Sequence, residues 1–139
     1  MPVMKLDGSG RRILVIDDDL AIRVLLQAVL RRMQFGVELA EDGSAGLDRL
    51  EHNDFDLVLL DLMMPRLNGY EFIQQVGERF PEEKRPHIVV FTAAGKRGVD
   101  KIPPDMVCNS ILKPFDLDKF VEVIAECVNG DHQTAAAKS

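Results

Sequence analysis

A chain of 139 residues, 46% hydrophobic and 29% charged, has the length and balance of one globular domain around a single sizeable core. Its net charge of −6 argues against a general nucleic-acid surface, which would be basic. No apolar run approaches the roughly 20 residues needed to cross a bilayer, and the opening MPVMKLDGSGRR has no apolar signal core, so a cytoplasmic protein without membrane contact is expected.

Residues 1–11 read as an N-terminal extension, 12–130 as the domain and 131–139 as a short polar tail that frays; with no second domain in view, output is expected to pass through this domain's own surface. Residues 13–16 are continuously apolar, as a strand buried on both faces would be, and run straight into Asp17, Asp18 and Asp19. Ile22, Leu25, Leu26, Val29, Leu30 and Met33 then recur at helical spacing, and that helix is expected to end near Gly36. A weaker strand at 37–40 precedes a helix that Asp42 can cap and that carries Ala45, Leu47 and Leu50.

The next buried strand, 57–60, ends in Asp61, and Pro65 and Gly69 frame a loop before a helix marked by Tyr70, Phe72, Ile73 and Val76. Residues 88–91 form a fourth strand ending in Thr92. Where a fourth helix is due, the chain reads TAAGKRGVDKIPPDMVCNS; two glycines and the pair Pro103 and Pro104 predict a short or irregular segment. A weak strand at 111–112 leads to Lys113 and Pro114, and Asp116 can cap a last helix carrying Leu117, Phe120, Val121, Ile124 and Val128. Cys108 and Cys127 have no metal or redox spacing and are expected to be buried free thiols, in keeping with a reducing cytoplasm. His52, His87 and His132 are scattered and form no phosphotransfer motif.

Strand alternating with helix predicts an α/β fold with a parallel sheet covered on both faces. Ligands of such sheets gather beyond the carboxyl ends of the strands. If the first and third strands are neighbours, Asp17, Asp18 and Asp61 meet at one edge, where mutual repulsion raises their pKa values unless a divalent cation intervenes. Magnesium suits a site of few carboxylates, a carbonyl and waters. Asp19, placed before a helix, is expected to cap it rather than join the site. Carboxylates, a hydroxyl and an ammonium at four strand ends are the groups needed to hold a phosphoryl group.

At this point the chain strongly resembles the receiver domain of bacterial two-component response regulators, in the CheY-like superfamily. The resemblance lies in ILVIDDD, AEDGSAGL, DLVLLDLMMPRLNGYEF, VVFTA and ILKPFDLDKF, which together span roughly residues 12 to 128. It implies a flavodoxin-like three-layer sandwich with a five-stranded parallel sheet of order 2-1-3-4-5. It further implies that Asp61 accepts a phosphoryl group from a histidine kinase, a phosphotransfer protein or a small phosphodonor. Asp18, Asp61 and the backbone carbonyl of Met63 would bind Mg2+, with Asp17 acting through water; Thr92 would donate to the phosphoryl oxygens and Lys113 would pair with them. The Lys113–Pro114 peptide would be cis. Such a protein signals to an unnamed downstream protein, through altered protein–protein contacts or a homodimer, and is not itself an enzyme.

Two departures from the family pattern fall on the output face. Ser110 stands where an aromatic side chain usually couples to the threonine, and Pro103 and Pro104 interrupt the fourth helix. Met63 and Ala94 hold the two positions that tune hydrolysis in the family; neither orients a water, so slow loss of phosphate is expected. Three rivals differ in kind: an interaction or dimerisation module that is never phosphorylated, a haloacid-dehalogenase-type phosphatase using Asp17 as nucleophile and Asp19 as acid, and an FMN binder. The phosphatase leaves DLMMP unexplained, and carboxylates after the first strand would repel an FMN phosphate.

Overall fold

The computed structural model of the protein describes residues 7–64, 67–93 and 95–129. Pro65, Ala94, His132 and the tail 131–139 lie outside the described residues, as do residues 1–6 of the expected extension.

Five strands and five helices alternate: β1 (Arg12–Ile16), α1 (Leu20–Arg32), β2 (Gly36–Ala40), α2 (Gly43–His52), β3 (Leu57–Asp61), α3 (Gly69–Arg79), β4 (His87–Thr92), α4 (Gly95–Asp100), β5 (Asn109–Leu112) and α5 (Leu117–Val128). The strands form one parallel sheet of order β2-β1-β3-β4-β5. This is the flavodoxin-like arrangement that the handedness of βαβ crossovers allows when helices cover both faces.

The runs of consecutive apolar residues follow directly from that cover. Successive side chains of a strand point to opposite faces. Ile13, Val15, Leu57, Leu59, Val89 and Phe91 therefore pack with Leu26 and Leu30 of α1 and Phe120 and Ile124 of α5. Their neighbours Leu14, Ile16, Val58, Leu60, Ile88 and Val90 pack on the other face with Leu47 of α2 and Phe72, Ile73 and Val76 of α3. The half-buried β2 lies at the sheet edge, which is why its pattern is weak.

Asp42 and Asp116 cap α2 and α5, accepting from Ala45 N (2.8 Å) and Lys119 N (2.7 Å). The end of α1 is not made by Gly36. Gln34 takes the left-handed conformation (φ 76°), with its N–H on Arg31 O and the N–H of Phe35 on Leu30 O, and Gly36 begins β2. The fourth helix is short, six residues long, and a 3-10 turn at Pro104–Met106 follows it. Tyr70 Oη donates to Gly98 O (2.9 Å), tying α4 to α3, and Arg85 reaches Gly77 O, Phe80 O and Met106 Sδ, fastening the 3-10 turn.

The expectation of free thiols is overturned: Cys108 and Cys127 are joined in a disulfide with their Cα atoms 6.1 Å apart. Helix α5 returns antiparallel to β5, so the residue before the strand meets the last turn of the helix. The chain separation of 19 hides this proximity. Free thiols thus lend no support to a reducing compartment. No helix among the described residues is long and apolar enough to cross a membrane.

Candidate functional site

Parallel pairing brings the carboxyl ends of β1, β3, β4 and β5 to one edge. Asp17 follows β1 directly, and its N–H on Ala40 O (3.1 Å) extends the ladder by one residue. Its carboxylate is fully buried and used twice: Oδ1 accepts from Asp19 N (2.8 Å) and Oδ2 from Lys113 Nζ (3.2 Å). Asp19 Oδ1 accepts from Ala21 N (2.9 Å), so it caps α1, while Asp18 faces solvent. Asp61 ends β3 and is 4% exposed; its Oδ1 accepts from Met63 N (3.1 Å) and its Oδ2 lies 3.5 Å from Lys113 Nζ.

Asp17, Asp18 and Asp61 each offer an oxygen within 4.8 Å of the others. Lys113, held by its N–H on Thr92 O (2.8 Å) and with Nζ over the Phe91 ring, supplies one positive charge against three carboxylates. Burial pushes the Asp61 carboxyl from 3.8 up to about 6, reinforced by Asp17 and Asp18 and opposed by the Met63 N–H and Lys113. Burial also raises Asp17, against the Asp19 N–H and Lys113. Hard oxygen donors carrying two uncompensated charges fit a small divalent cation such as Mg2+.

Thr92 is buried at the end of β4, in register with Leu112 and next to Phe91, the β4 partner of Asp61 in the β3–β4 ladder. The Lys113–Pro114 peptide is cis. Sequence reasoning missed two further contributors. Arg23, one turn into α1, donates from Nη1 to the Asp17 carbonyl (2.5 Å) and fixes the β1–α1 corner; its only signal was a cation just after the acids. Gly69 starts α3 so close to the Asp61 loop that a Cβ there would meet Leu62 Cα at 2.6 Å and Asp61 O at 2.8 Å. Ser110 is half-buried in β5 and lines an open space beside Val99, Ile102 and Pro103.

The fold and site define an α/β domain that gathers carboxylates and an amine at its strand ends, and comparison with known proteins says which family it belongs to. The family model for the response regulator receiver domain matches residues 13–125. Response regulator MprA of a Mycobacterium species (strain KMS) is 39% identical over 79% of this chain and 47% of its own length. Rre1 of Synechocystis is 35% identical over 81% of this chain and 49% of its own. The chain thus spans about half the length of these curated relatives. Among solved structures, a CheY-like receiver domain protein from Methanospirillum hungatei has a TM-score of 0.78 at 25% identity, covering 90% of this chain and 98% of the other. TrrA of Thermotoga maritima, solved in complex with Mg(2+)-BeF, has a TM-score of 0.74 at 27% identity, covering 84% and 98%. The chain belongs to the response regulator receiver domain family of two-component systems.

Proposed function

We propose that this receiver takes a phosphoryl group on Asp61, in a Mg2+-dependent reaction, from a histidine kinase or phosphotransfer protein. The observation that carries the proposal is the convergence of buried Asp17 and Asp61, both facing Lys113, with exposed Asp18, leaving two negative charges for a metal. Asp18, Asp61 and the Met63 carbonyl would hold the ion, with Asp17 acting through water. Bound there, Mg2+ supplies charge neutralisation for the transferring phosphoryl oxygens.

The chain's own part is alignment. Asp61 Oδ1 is held by the Met63 N–H, which leaves Oδ2 as the attacking oxygen. As its bond to phosphorus forms, the phosphorus–nitrogen bond of the donor phosphohistidine breaks. Lys113 pairs with a phosphoryl oxygen and Thr92 donates a hydrogen bond to another. A loose transition state asks for positioning more than covalent machinery. The added charge of roughly −1.5 to −2 then draws on Lys113 and Thr92, whose strands border the α4–β5–α5 face. On this reading the protein is a signalling component rather than an enzyme, works in the cytoplasm, and reports to a protein partner rather than to nucleic acid or membrane. Ser110, with open space beside it, supports a readout that does not use a swinging aromatic ring.

A phosphatase using Asp17 and Asp19 is disfavoured because both Asp17 oxygens are engaged and Asp19 is spent on Ala21. Mass spectrometry after incubation with acetyl phosphate and Mg2+ tests the proposal. One phosphoryl group is expected on the wild type and none on Asp61→Asn; unmodified wild type would favour the silent interaction module.

A further inference from the structure

A second reactive group lies outside the Asp61 pocket. The Cys108–Cys127 bond joins the residue before β5 to the last turn of α5. We propose that this pair is a reversible thiol–disulfide site: oxidised, it ties α5 to β5; reduced by a dithiol, it releases the helix without unfolding the domain.

Three observations support it. First, access is one-sided. Cys127 is fully enclosed, whereas Cys108 keeps 8% of its surface exposed. Exchange with a dithiol therefore starts at the Cys108 sulfur. Second, the fold does not depend on the bond for its core. Phe120, Val121, Val123 and Ile124 bury α5 on the sheet independently of it, and two thiols in the same place would pack as small apolar side chains. Third, the bond spans a sensitive strand. The segment it encloses, 109–126, contains Ser110 and Lys113, so the bond limits how far α5 can shift against the strand that leads into the pocket.

The exchange balances with a dithiol as reductant. Its thiolate bonds to the Cys108 sulfur, the protein S–S bond breaks, and Cys127 leaves as a thiolate that takes up the proton the dithiol released. The dithiol's second thiolate then attacks its own sulfur in the mixed disulfide. Cys108 departs and is protonated in turn, and the reductant becomes a disulfide. Two electrons and two protons reach the protein; a disulfide oxidant reverses both steps. That the lock modulates a phosphoryl signal rests on the Asp61 reading above, while the redox site itself does not.

The test uses the full chain. Iodoacetamide should add nothing to denatured protein prepared without reductant, and two groups after dithiothreitol. Hydrogen exchange, with no phosphodonor present, should then run at least about tenfold faster in α5 of the reduced protein, with β1 and β3 unchanged. Oxidised glutathione should restore the slow rate, and Cys127→Ala should exchange fast under both conditions. Two alkylated cysteines before reduction with no bond formed by oxidised glutathione, equal α5 exchange in both forms, or global unfolding on reduction would each overturn the proposal. Acetyl phosphate labelling of both forms separates the two readings: no label in either, with the α5 response intact, sinks the Asp61 reading and leaves the redox site standing.

Discussion

Asp61 has almost no contact with water, and two more carboxylates stand within 4.8 Å of it. In the metal-free protein its ionisation therefore costs stability. Its carboxyl titrates at about 6 when folded against 3.8 when unperturbed, so between those values the folded state holds a proton that the unfolded chain has lost. Stability is full below the lower value and falls as pH rises through the higher one. Asp61→Asn removes the titration. In a chelator, the variant should exceed the wild type by at most about 3 kcal/mol at pH 7.5, with the gap closing toward pH 4, as urea melts at the two pH values would show. Met63 offers a second test at this scale. Its N–H holds Asp61, while its side chain is 58% exposed and ends in a thioether that orients no water. Met63→Asn places an amide able to orient water there and should shorten the lifetime of the phosphorylated protein severalfold, timed by loss of label.

At the scale of elements, the helix ends show what a sequence reveals and what it conceals. Asp19, Asp42 and Asp116 were legible as caps because a carboxylate immediately before an apolar 3.6 period has one obvious use. Asn68 and Glu71 were overlooked. They form a reciprocal capping box, Asn68 Oδ1 from Glu71 N and Glu71 Oε1 from Asn68 N, each 3.0 Å, and the spacing in NGYE carried that signal. The end of α1 was misplaced because Gly36 is the habitual stop, whereas Gln34 bears the left-handed turn. A side chain with a Cβ is strained there. Gln34→Gly should raise stability by roughly 0.5–1 kcal/mol, read as a higher melting temperature with α1 helicity unchanged by circular dichroism. The short α4 was foreseen from its prolines, but the contacts that hold it, Tyr70 on Gly98 and Arg85 on Met106, depend on tertiary proximity that no local pattern encodes.

For the whole molecule, the parallel sheet was legible because strands buried on both faces must be apolar throughout, and the edge strand β2 was correspondingly faint. The convergence of Asp17, Asp18, Asp61 and Lys113 was legible from their places at strand ends together with the strand order that the family resemblance implied. Arg23 and Gly69 did not, since a guanidinium bonded to a carbonyl and a missing Cβ leave no mark on periodicity. The charge balance of the assembled pocket leads to a prediction at the same scale. Mg2+ should raise the melting temperature of the wild type at pH 7.5, by about 2.7 kcal/mol of stability at a hundred times its dissociation constant. Asp18→Asn, at the exposed mouth, should lose most of that gain without losing the fold, and differential scanning fluorimetry across a magnesium series would show it.

The link between Cys108 and Cys127 also changes what a nick in the backbone means. A protease cutting anywhere from 109 to 126 leaves both products covalently joined, so they migrate as one band until reductant is added. A cut in the stretch between α3 and β5 falls outside the closed ring and frees the C-terminal piece at once. Gel mobility alone therefore reports on which side of Cys108 the chain first opens.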